Sequence, residues 1–162
     1  MAGGPITAEI QPGDVVVIDG RGVGECGFIG SNNSLSWIEA GARGVVTNGG
    51  ARDTDELCVQ RVPVYSRGVS RGIRPGRLEL ESTGRPVTVG GVCVRPGDLV
   101  VADGDGVVVV PPEKVRQVAT VALETQERDK KTRRGMYDKL GRSHDQTVTA
   151  RDQLELPGEE NG

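Results

Sequence analysis

The chain has 162 residues, enough for one domain with a hydrophobic core. Apolar residues make up 35% of it, aromatic residues 2%, and 25 residues are glycine, which favours a turn-rich, valine-rich β architecture over a helical bundle. The net charge of −3 gives no reason to expect nucleic-acid binding, and no apolar run approaches the roughly 20 residues that span a bilayer.

The chain carries no sign of export. Residues 1–5 have neither the charged nor the apolar region of a signal peptide, which predicts a cytoplasmic location. Three widely spaced cysteines, Cys26, Cys58 and Cys93, argue against a disulfide framework or a zinc site, and we expect buried, reduced thiols.

A nine-residue pattern occurs twice, as Pro12–Gly20 and Pro96–Gly104. Each copy has a Pro-Gly-Asp turn, an apolar run and an Asp-Gly turn, which predicts a strand buried on both faces. We interpret the copies as two similar strands of one β-rich core.

The residues between and after these copies predict short alternating elements. Helices are expected over 34–42 and 54–59, and strands over 44–48, 62–66 and 86–94, the last interrupted at Gly90-Gly91. Ser31, Asn32 and Asn33 are the candidate N-caps of the first helix. The second copy is expected to form a hairpin through residues 103–106 into Val107–Val110.

A long helix is predicted to begin near Glu113, after Pro111-Pro112. Its first half has apolar residues at helical spacing, whereas residues 124–135 are polar and either project into solvent or contact another subunit. The sequence predicts one domain over residues 1–141 and a disordered tail over residues 142–162.

The first candidate site is Arg52-Asp53, which follows a β-branched run and Gly49-Gly50. Arginine offers a planar fork for a carboxylate, and aspartate offers a hard oxygen for Mg²⁺ or Mn²⁺. The structural alternative is a helix start at which Asp53 is the cap and Arg52 is a surface charge. Both interpretations stay open.

The second candidate is the Gly30 loop with Ser31, Asn32 and Asn33, which opens onto the first predicted helix. Free backbone N–H groups at such a point suit a carboxylate, although an ordinary capped helix gives the same pattern. A loop–helix–strand unit returns the chain, so we expect Gly30 to lie near Arg52.

The third candidate is the acidic set of the long helix, Glu124, Glu127 and Asp129. By itself this set is best interpreted as solvated helix surface with Lys and Arg partners three or four residues away. His144 is the one histidine, which argues against a His-based triad or a His-rich metal site.

Several motifs together carry a family resemblance. They are Gly30, Arg52-Asp53 with Glu56, and residues 63–68, 90–103 and 106–111. With them, residues 13–141 resemble the 4-hydroxy-4-methyl-2-oxoglutarate/4-carboxy-4-hydroxy-2-oxoadipate aldolase family, which includes the regulator of ribonuclease E activity A. The resemblance implies a compact, β-rich α/β sandwich with a long C-terminal helix, related to the swivelling phosphohistidine domains. It also implies a homotrimer or hexamer.

The resemblance also implies a function and roles for residues. The family's enzymes are metal-dependent (class II) pyruvate aldolases, often with oxaloacetate decarboxylase activity. Asp53 would bind Mg²⁺ or Mn²⁺, Arg52 would contact the pyruvyl group, and the amides of Ser31, Asn32 and Asn33 would hold its carboxylate. Glu127 of a neighbouring subunit would fix metal-bound water.

Two departures from the family define the rival hypotheses. Serine stands at position 31, where the family usually has an acid, and the segment that usually precedes the first Pro-Gly-Asp strand is missing. We therefore expect an N-terminally short member. The alternatives to an enzyme are a non-catalytic regulator of the ribonuclease-regulator type and an inactive truncated homologue.

Overall fold

The computed structural model describes residues 4–151, which form two compact units that divide between Pro112 and Glu113. The first unit holds ten strands and three helices, and the second is dominated by one long helix. This α/β composition with a C-terminal helix is the predicted class. The proposed single domain over residues 1–141 stays a prediction.

Two parallel three-stranded sheets alternate along the first unit. The first sheet has the order β1-β3-β5, with bounds Val15–Ile18, Gly44–Thr47 and Val64–Tyr65. The second has the order β2-β4-β6, with bounds Gly27–Ile29, Gly50–Ala51 and Gly68–Val69. The first six strands alternate between the two sheets, so each sheet contains every second one of these six strands.

The helices of the first unit are α1 (Gly4–Thr7), α2 (Ser31–Glu39) and α3 (Thr54–Val59). Helix α3 matches its predicted bounds, whereas α2 begins three residues before the predicted start. The buried core shared by α2 and the two sheets consists of Val16, Ile29, Trp37, Ala42, Val45 and Ala51. All four residues of β3 are buried, as a strand covered on both faces requires.

The remaining strands form two hairpins. Val87–Val89 (β7) pairs with Val92–Val94 (β8) around Gly90-Gly91, and Leu99–Ala102 (β9) pairs with Val107–Val110 (β10). Both turns are where the sequence predicts them.

The interpretation of the repeated pattern is wrong. Its first copy is β1 in a parallel sheet, and its second is β9 in a separate antiparallel hairpin, where most of its residues are exposed. Pro-Gly-Asp specifies the turn before each strand, but the strand's neighbours decide its burial.

The second unit contains α4 (Val115–Leu140), preceded by a 3₁₀ turn over Pro112–Lys114. Residues 142–151, which the sequence places in the tail, turn back along α4. The Arg133 and Arg134 guanidinium groups donate to the carbonyls of Thr147 and Val148 at 2.7 and 2.9 Å. Residues 152–162 lie outside the described residues. No helix between residues 4 and 151 combines the length and apolar character that crossing a membrane requires.

Candidate functional site

Two neighbouring parallel strands bring the predicted site residues together. Strand β2 ends at Ile29 and β4 ends at Ala51, and the Arg52 backbone N–H donates to the Ile29 carbonyl at 3.0 Å. Gly30 and Arg52 therefore leave the same edge of the sheet side by side, as carboxyl ends of adjacent parallel strands do. The prediction that the Gly30 loop and Arg52 lie close together is confirmed.

Asp53 directs its carboxylate to the start of α2. The Ser31 backbone N–H donates to Asp53 Oδ2 at 3.1 Å, and the Ser31 hydroxyl lies 3.4 Å from the same oxygen. The Ser31 N–H is one of the free donors at a helix N-terminus, where the helix dipole also favours negative charge. Asp53 thus occupies part of the carboxylate site that the sequence predicts at this helix start.

The backbone of Asp53 explains why its side chain reaches α2. Asp53 is the N-cap residue of α3, as the structural alternative expects, but it is left-handed (φ 57°, ψ 39°) and its side chain makes no capping hydrogen bond. Aspartate tolerates this conformation better than most side chains. The carboxylate is therefore free to bridge from one helix start to another.

Arg52 lies across two glycines. A Cβ atom on Gly27 would stand 2.6 Å from Arg52 Cδ, and one on Gly30 would stand 3.3 Å from Arg52 Nη2. Arg52 Nη1 lies 3.9 Å from Asp53 Oδ1, and both side chains are 32% exposed. Within residues 4–151, Arg52 Nε is buried and has no hydrogen-bond partner. This half-buried guanidinium is more than a surface charge.

The predicted cap of α2 is wrong. Gly30 is the N-cap residue, with extended backbone and no side-chain capping bond, and Ser31 is already helical. An acceptor from another segment, Asp53, takes the first free N–H, so Ser31 does not need to act as the cap. The sequence also missed the role of Gly27, since the two- and three-residue strands that place it under Arg52 give no periodic signal.

Glu127 lies in α4, in the second unit. Its carboxylate accepts the Arg151 backbone N–H at 3.2 Å and lies 3.4 Å from Lys130 Nζ. Glu124 and Asp129 are exposed. The role of Glu127 toward a neighbouring subunit stays a prediction.

The donor set suits a hydrated ion more than an all-protein metal cage. In the part of the chain that the structure describes, no three His, Cys, Asp or Glu side chains cluster around a common point. The site offers one carboxylate, Asp53, beside one hydroxyl, Ser31. Mg²⁺ and Mn²⁺ accept oxygen ligands, and Mg²⁺ commonly uses one or two carboxylates while keeping several waters. The residues present therefore fit an ion that a substrate helps to chelate.

Comparison with known proteins defines the class. The sequence model of the RraA-like family, described as Aldolase/RraA, matches residues 5–109. The chain belongs to this family, so the resemblance found from its motifs is confirmed.

Two curated relatives carry the name "Putative 4-hydroxy-4-methyl-2-oxoglutarate aldolase". The Deinococcus radiodurans protein is 40% identical over 102 residues, which is 62% of each chain. The Halalkalibacterium halodurans protein is 32% identical over 134 residues, which is 82% of this chain and 62% of the relative. The chain thus spans about three fifths of the length of these relatives.

Solved structures share the fold. The Streptomyces coelicolor protein RraAS2, described as an unusual member of the RNase ES inhibitor RraA family, is 33% identical with a TM-score of 0.72, over 79% of this chain and 65% of that one. An uncharacterised protein from Pseudomonas syringae pv. tomato is 26% identical with a TM-score of 0.69, over 91% of this chain and 72% of that one. The names of these relatives point to two functions, a lyase and a ribonuclease inhibitor.

Proposed function

We propose that this chain is a divalent-metal-dependent lyase that cleaves 4-hydroxy-2-oxo acids to pyruvate, decarboxylates oxaloacetate, or does both. The observation that carries the proposal is the convergence of Arg52, Asp53 and the α2 N-terminus at one sheet edge. The names of the two aldolase-like relatives support the reaction class. We also propose that the fold is related to the swivelling phosphohistidine domains.

Both reactions pass through the same enolate. In retro-aldol cleavage the C3–C4 bond breaks, its electron pair forms the enolate of the nascent pyruvate, and the 4-hydroxyl group passes its proton to a water molecule as it becomes a carbonyl. The enolate then takes up a proton at C3 to give pyruvate. In β-decarboxylation the same bond breaks and CO₂ leaves. A bound Mg²⁺ or Mn²⁺ would act as a Lewis acid toward the 2-oxo group.

The chain's own residues supply the rest of the site. Asp53 would hold the cation. The Arg52 guanidinium would stabilise negative charge that develops on the enolate oxygen, because a fixed cation in a half-buried site acts without reorganising. The amides of Asn32 and Asn33 at the start of α2 would orient the substrate carboxylate, while the Ser31 N–H holds Asp53.

The test is turnover of oxaloacetate and of a 4-hydroxy-2-oxo diacid with Mg²⁺ or Mn²⁺. Asp53→Asn keeps a residue that tolerates the left-handed backbone and can still accept the Ser31 N–H, but it removes the charge. We expect this variant to lose metal-dependent turnover by about 100-fold or more, in line with the loss of a main electrostatic contributor. The matched control is Asp55→Asn, an exposed acid two residues away. Equal turnover in wild type and Asp53→Asn would refute the assignment.

A ribonuclease regulator is the second candidate, and two observations favour it. The likeness to RraAS2 extends over 79% of this chain, and Asp53 is already engaged by Ser31. The test is RNA cleavage by purified RNase ES with increasing amounts of this protein. Inhibition by wild type and by Asp53→Asn alike, without Mn²⁺ binding in equilibrium dialysis, would favour the regulator. Metal binding and turnover without inhibition would favour the lyase.

Assembly as a homotrimer or hexamer is part of the lyase proposal, since Glu127 would act from a neighbouring subunit. Light scattering gives the mass, and Glu127→Gln tests the contribution. We expect this variant to weaken Mn²⁺ binding. A monomeric chain with full turnover would contradict the shared site.

A further inference from the structure

An open cavity lies between α3 and β5. Its volume is about 260 Å³, and its walls are mainly apolar, with Leu57, Val62, Pro63 and Val64 among them. Ala51 and Thr54, the residues that flank the Arg52–Asp53 pair, also line it, whereas Arg52 and Asp53 do not. The cavity is therefore next to the proposed catalytic site and separate from it.

Two reactive or charged side chains line the same cavity, Arg61 and Cys58. Both residues are exposed to solvent. Among the ion pairs formed within residues 4–151, none includes Arg61. An arginine that forms no ion pair within the described residues and lies next to an apolar wall is a suitable receptor for an amphipathic anion.

The backbone of Arg61 is unusual for an arginine. Helix α3 ends in a Schellman motif, in which the Val62 N–H donates to the Leu57 carbonyl and the Arg61 N–H to the Cys58 carbonyl, both at 3.1 Å. Arg61 occupies the left-handed position of this motif, with φ 54°. Glycine is the usual residue there because it has no Cβ penalty.

The ends of the two longer helices, α2 and α4, can be compared with the end of α3. Helices α2 and α4 end in the same two-bond pattern, and the equivalent positions are Gly41 (φ 112°) and Gly141 (φ 62°). At α3 the chain instead keeps an arginine in this left-handed conformation, and that residue lines the cavity. Strain of this kind is found at ligand sites, where the side chain has a task that glycine cannot perform.

We propose that this cavity binds a small carboxylic acid with an apolar body of about ring size, and that Arg61 pairs with its carboxylate. The volume is ample, since engineered apolar cavities of roughly 150 Å³ take up benzene. The apolar wall accounts for the body of the ligand, and the Arg61 guanidinium, which pairs with no carboxylate between residues 4 and 151, accounts for the acid group.

Alkylation of Cys58 tests the proposal, with Cys93 as a reference in the same chain. Cys93 is also exposed and lies on β8, outside the cavity lining. Benzoate, the probe, is expected to slow the reaction of Cys58 with iodoacetamide and to leave Cys93 unchanged. The neutral benzamide is expected to protect Cys58 with an affinity about two- to fivefold weaker, the difference that one exposed ion pair makes.

Arg61→Gly separates recognition from folding, because glycine suits the left-handed backbone. This variant is expected to fold, to melt at a higher temperature than wild type, and to protect Cys58 equally with benzoate and benzamide. Arg61→Lys is expected to keep the preference for benzoate, and Arg43→Ala, which removes another exposed cation, is expected to keep it fully. No protection of Cys58 by either probe, equal protection in wild type, or an unchanged preference in Arg61→Gly would each overturn the proposal.

Discussion

Gly27 and Gly30 allow Arg52 and Asp53 to occupy their observed positions, because the Arg52 and Asp53 side chains fill the space that Cβ atoms on the two glycines would need. A Cβ on Gly30 would collide with Asp53 Oδ2, and one on Gly27 would stand 2.6 Å from Arg52 Cδ and 2.9 Å from Arg52 Nε. The geometry of the candidate site thus depends on the two glycines as much as on Arg52 and Asp53 themselves.

Gly30→Ala and Gly27→Ala are therefore expected to displace the charged pair. Each should cost about 1–3 kcal/mol of unfolding free energy, the usual cost of overpacking, and should weaken binding of oxalate with Mn²⁺. Thermal unfolding and calorimetric titration measure the two effects. Gly24→Ala is the control, since a Cβ there meets nothing within 4 Å. Equal stability of all three variants would contradict the close packing.

Two substitutions separate the structural role of Asp53 from its proposed role in metal binding. Alanine in the left-handed region is unfavourable by roughly 1–2 kcal/mol, whereas asparagine visits it readily. Asp53→Ala is therefore expected to lower both stability and metal binding, and Asp53→Asn to lower metal binding with stability nearly unchanged. Urea unfolding and Mn²⁺ dialysis report the two properties. A large loss of stability in Asp53→Asn would show that the negative charge holds the fold together.

Asp19, which follows β1, gives the fold a dependence on pH. Hydrogen bonds from the Asn48 side chain and then from the Arg21 backbone N–H lower the pKa of the Asp19 carboxyl below its ordinary value of 3.8. A pKa lowered by folding adds stability above the unfolded-state value, and this stability is lost as pH falls through the folded-state value.

Asp19→Asn is accordingly expected to lower stability at neutral pH and to flatten the decline in stability on acidification below 3.8. Urea unfolding at a series of pH values provides the measurement. Glu25→Gln removes another exposed carboxylate and serves as the control. An unaltered slope in Asp19→Asn would mean that this carboxyl is equally acidic in the unfolded chain.

At the scale of elements, the end of α3 differs from the ends of α2 and α4 in the residue at the left-handed position. Because Arg61 stands where the other two helices have glycine, Arg61→Gly is expected to raise the unfolding free energy by about 1 kcal/mol. Gly141→Ala makes the converse change at a position where a Cβ would meet nothing within 4 Å, and it is expected to destabilise the end of α4 by a similar amount. Thermal melts and amide exchange at the two helix ends test the pair. A destabilised Arg61→Gly variant would show that the arginine side chain contributes contacts that outweigh its backbone strain.

The elements also show which signals in the sequence were reliable. Helix α3 was predicted over its observed residues, and Asp53, the candidate cap before it, is the N-cap residue in the structure. Strands β2, β4 and β6 were missed, since two or three residues, several of them glycine, cannot display a period. Two of these missed strands, β2 and β4, position the candidate site.

The thiols illustrate the limit of composition-based inference. All three cysteines are free, but only Cys26 is buried, whereas Cys58 and Cys93 are exposed, contrary to the expectation of buried thiols. Burial of a single residue depends on which tertiary neighbours cover it, and separation along the chain does not show that.

At the scale of the whole molecule, the convergence of Gly30 and Arg52 followed from one topological argument: a loop–helix–strand unit returns the chain to its starting edge. The same argument did not reveal that Asp53 would reach the Ser31 amide, because that bridge depends on one left-handed residue. Sequence patterns thus predicted which residues of the candidate site converge, and backbone conformation decides how their charges are arranged.

The distribution of burial predicts an uneven stability across the first unit. Val45 in β3 is fully buried, whereas Val101 in β9 is 54% exposed and its pairing partner Val108 in β10 is 60% exposed. A two-stranded hairpin with little cover is marginally stable in water, and low-burial segments open locally before the core does. We expect the amides of β9 and β10 to exchange with deuterium about 100-fold or more faster than those of β3. Timed labelling of the folded chain, followed by quenching, peptic digestion and mass spectrometry of the fragments, gives the comparison. Equal protection of the hairpin and β3 would contradict the prediction and would show that another surface covers the exposed valines.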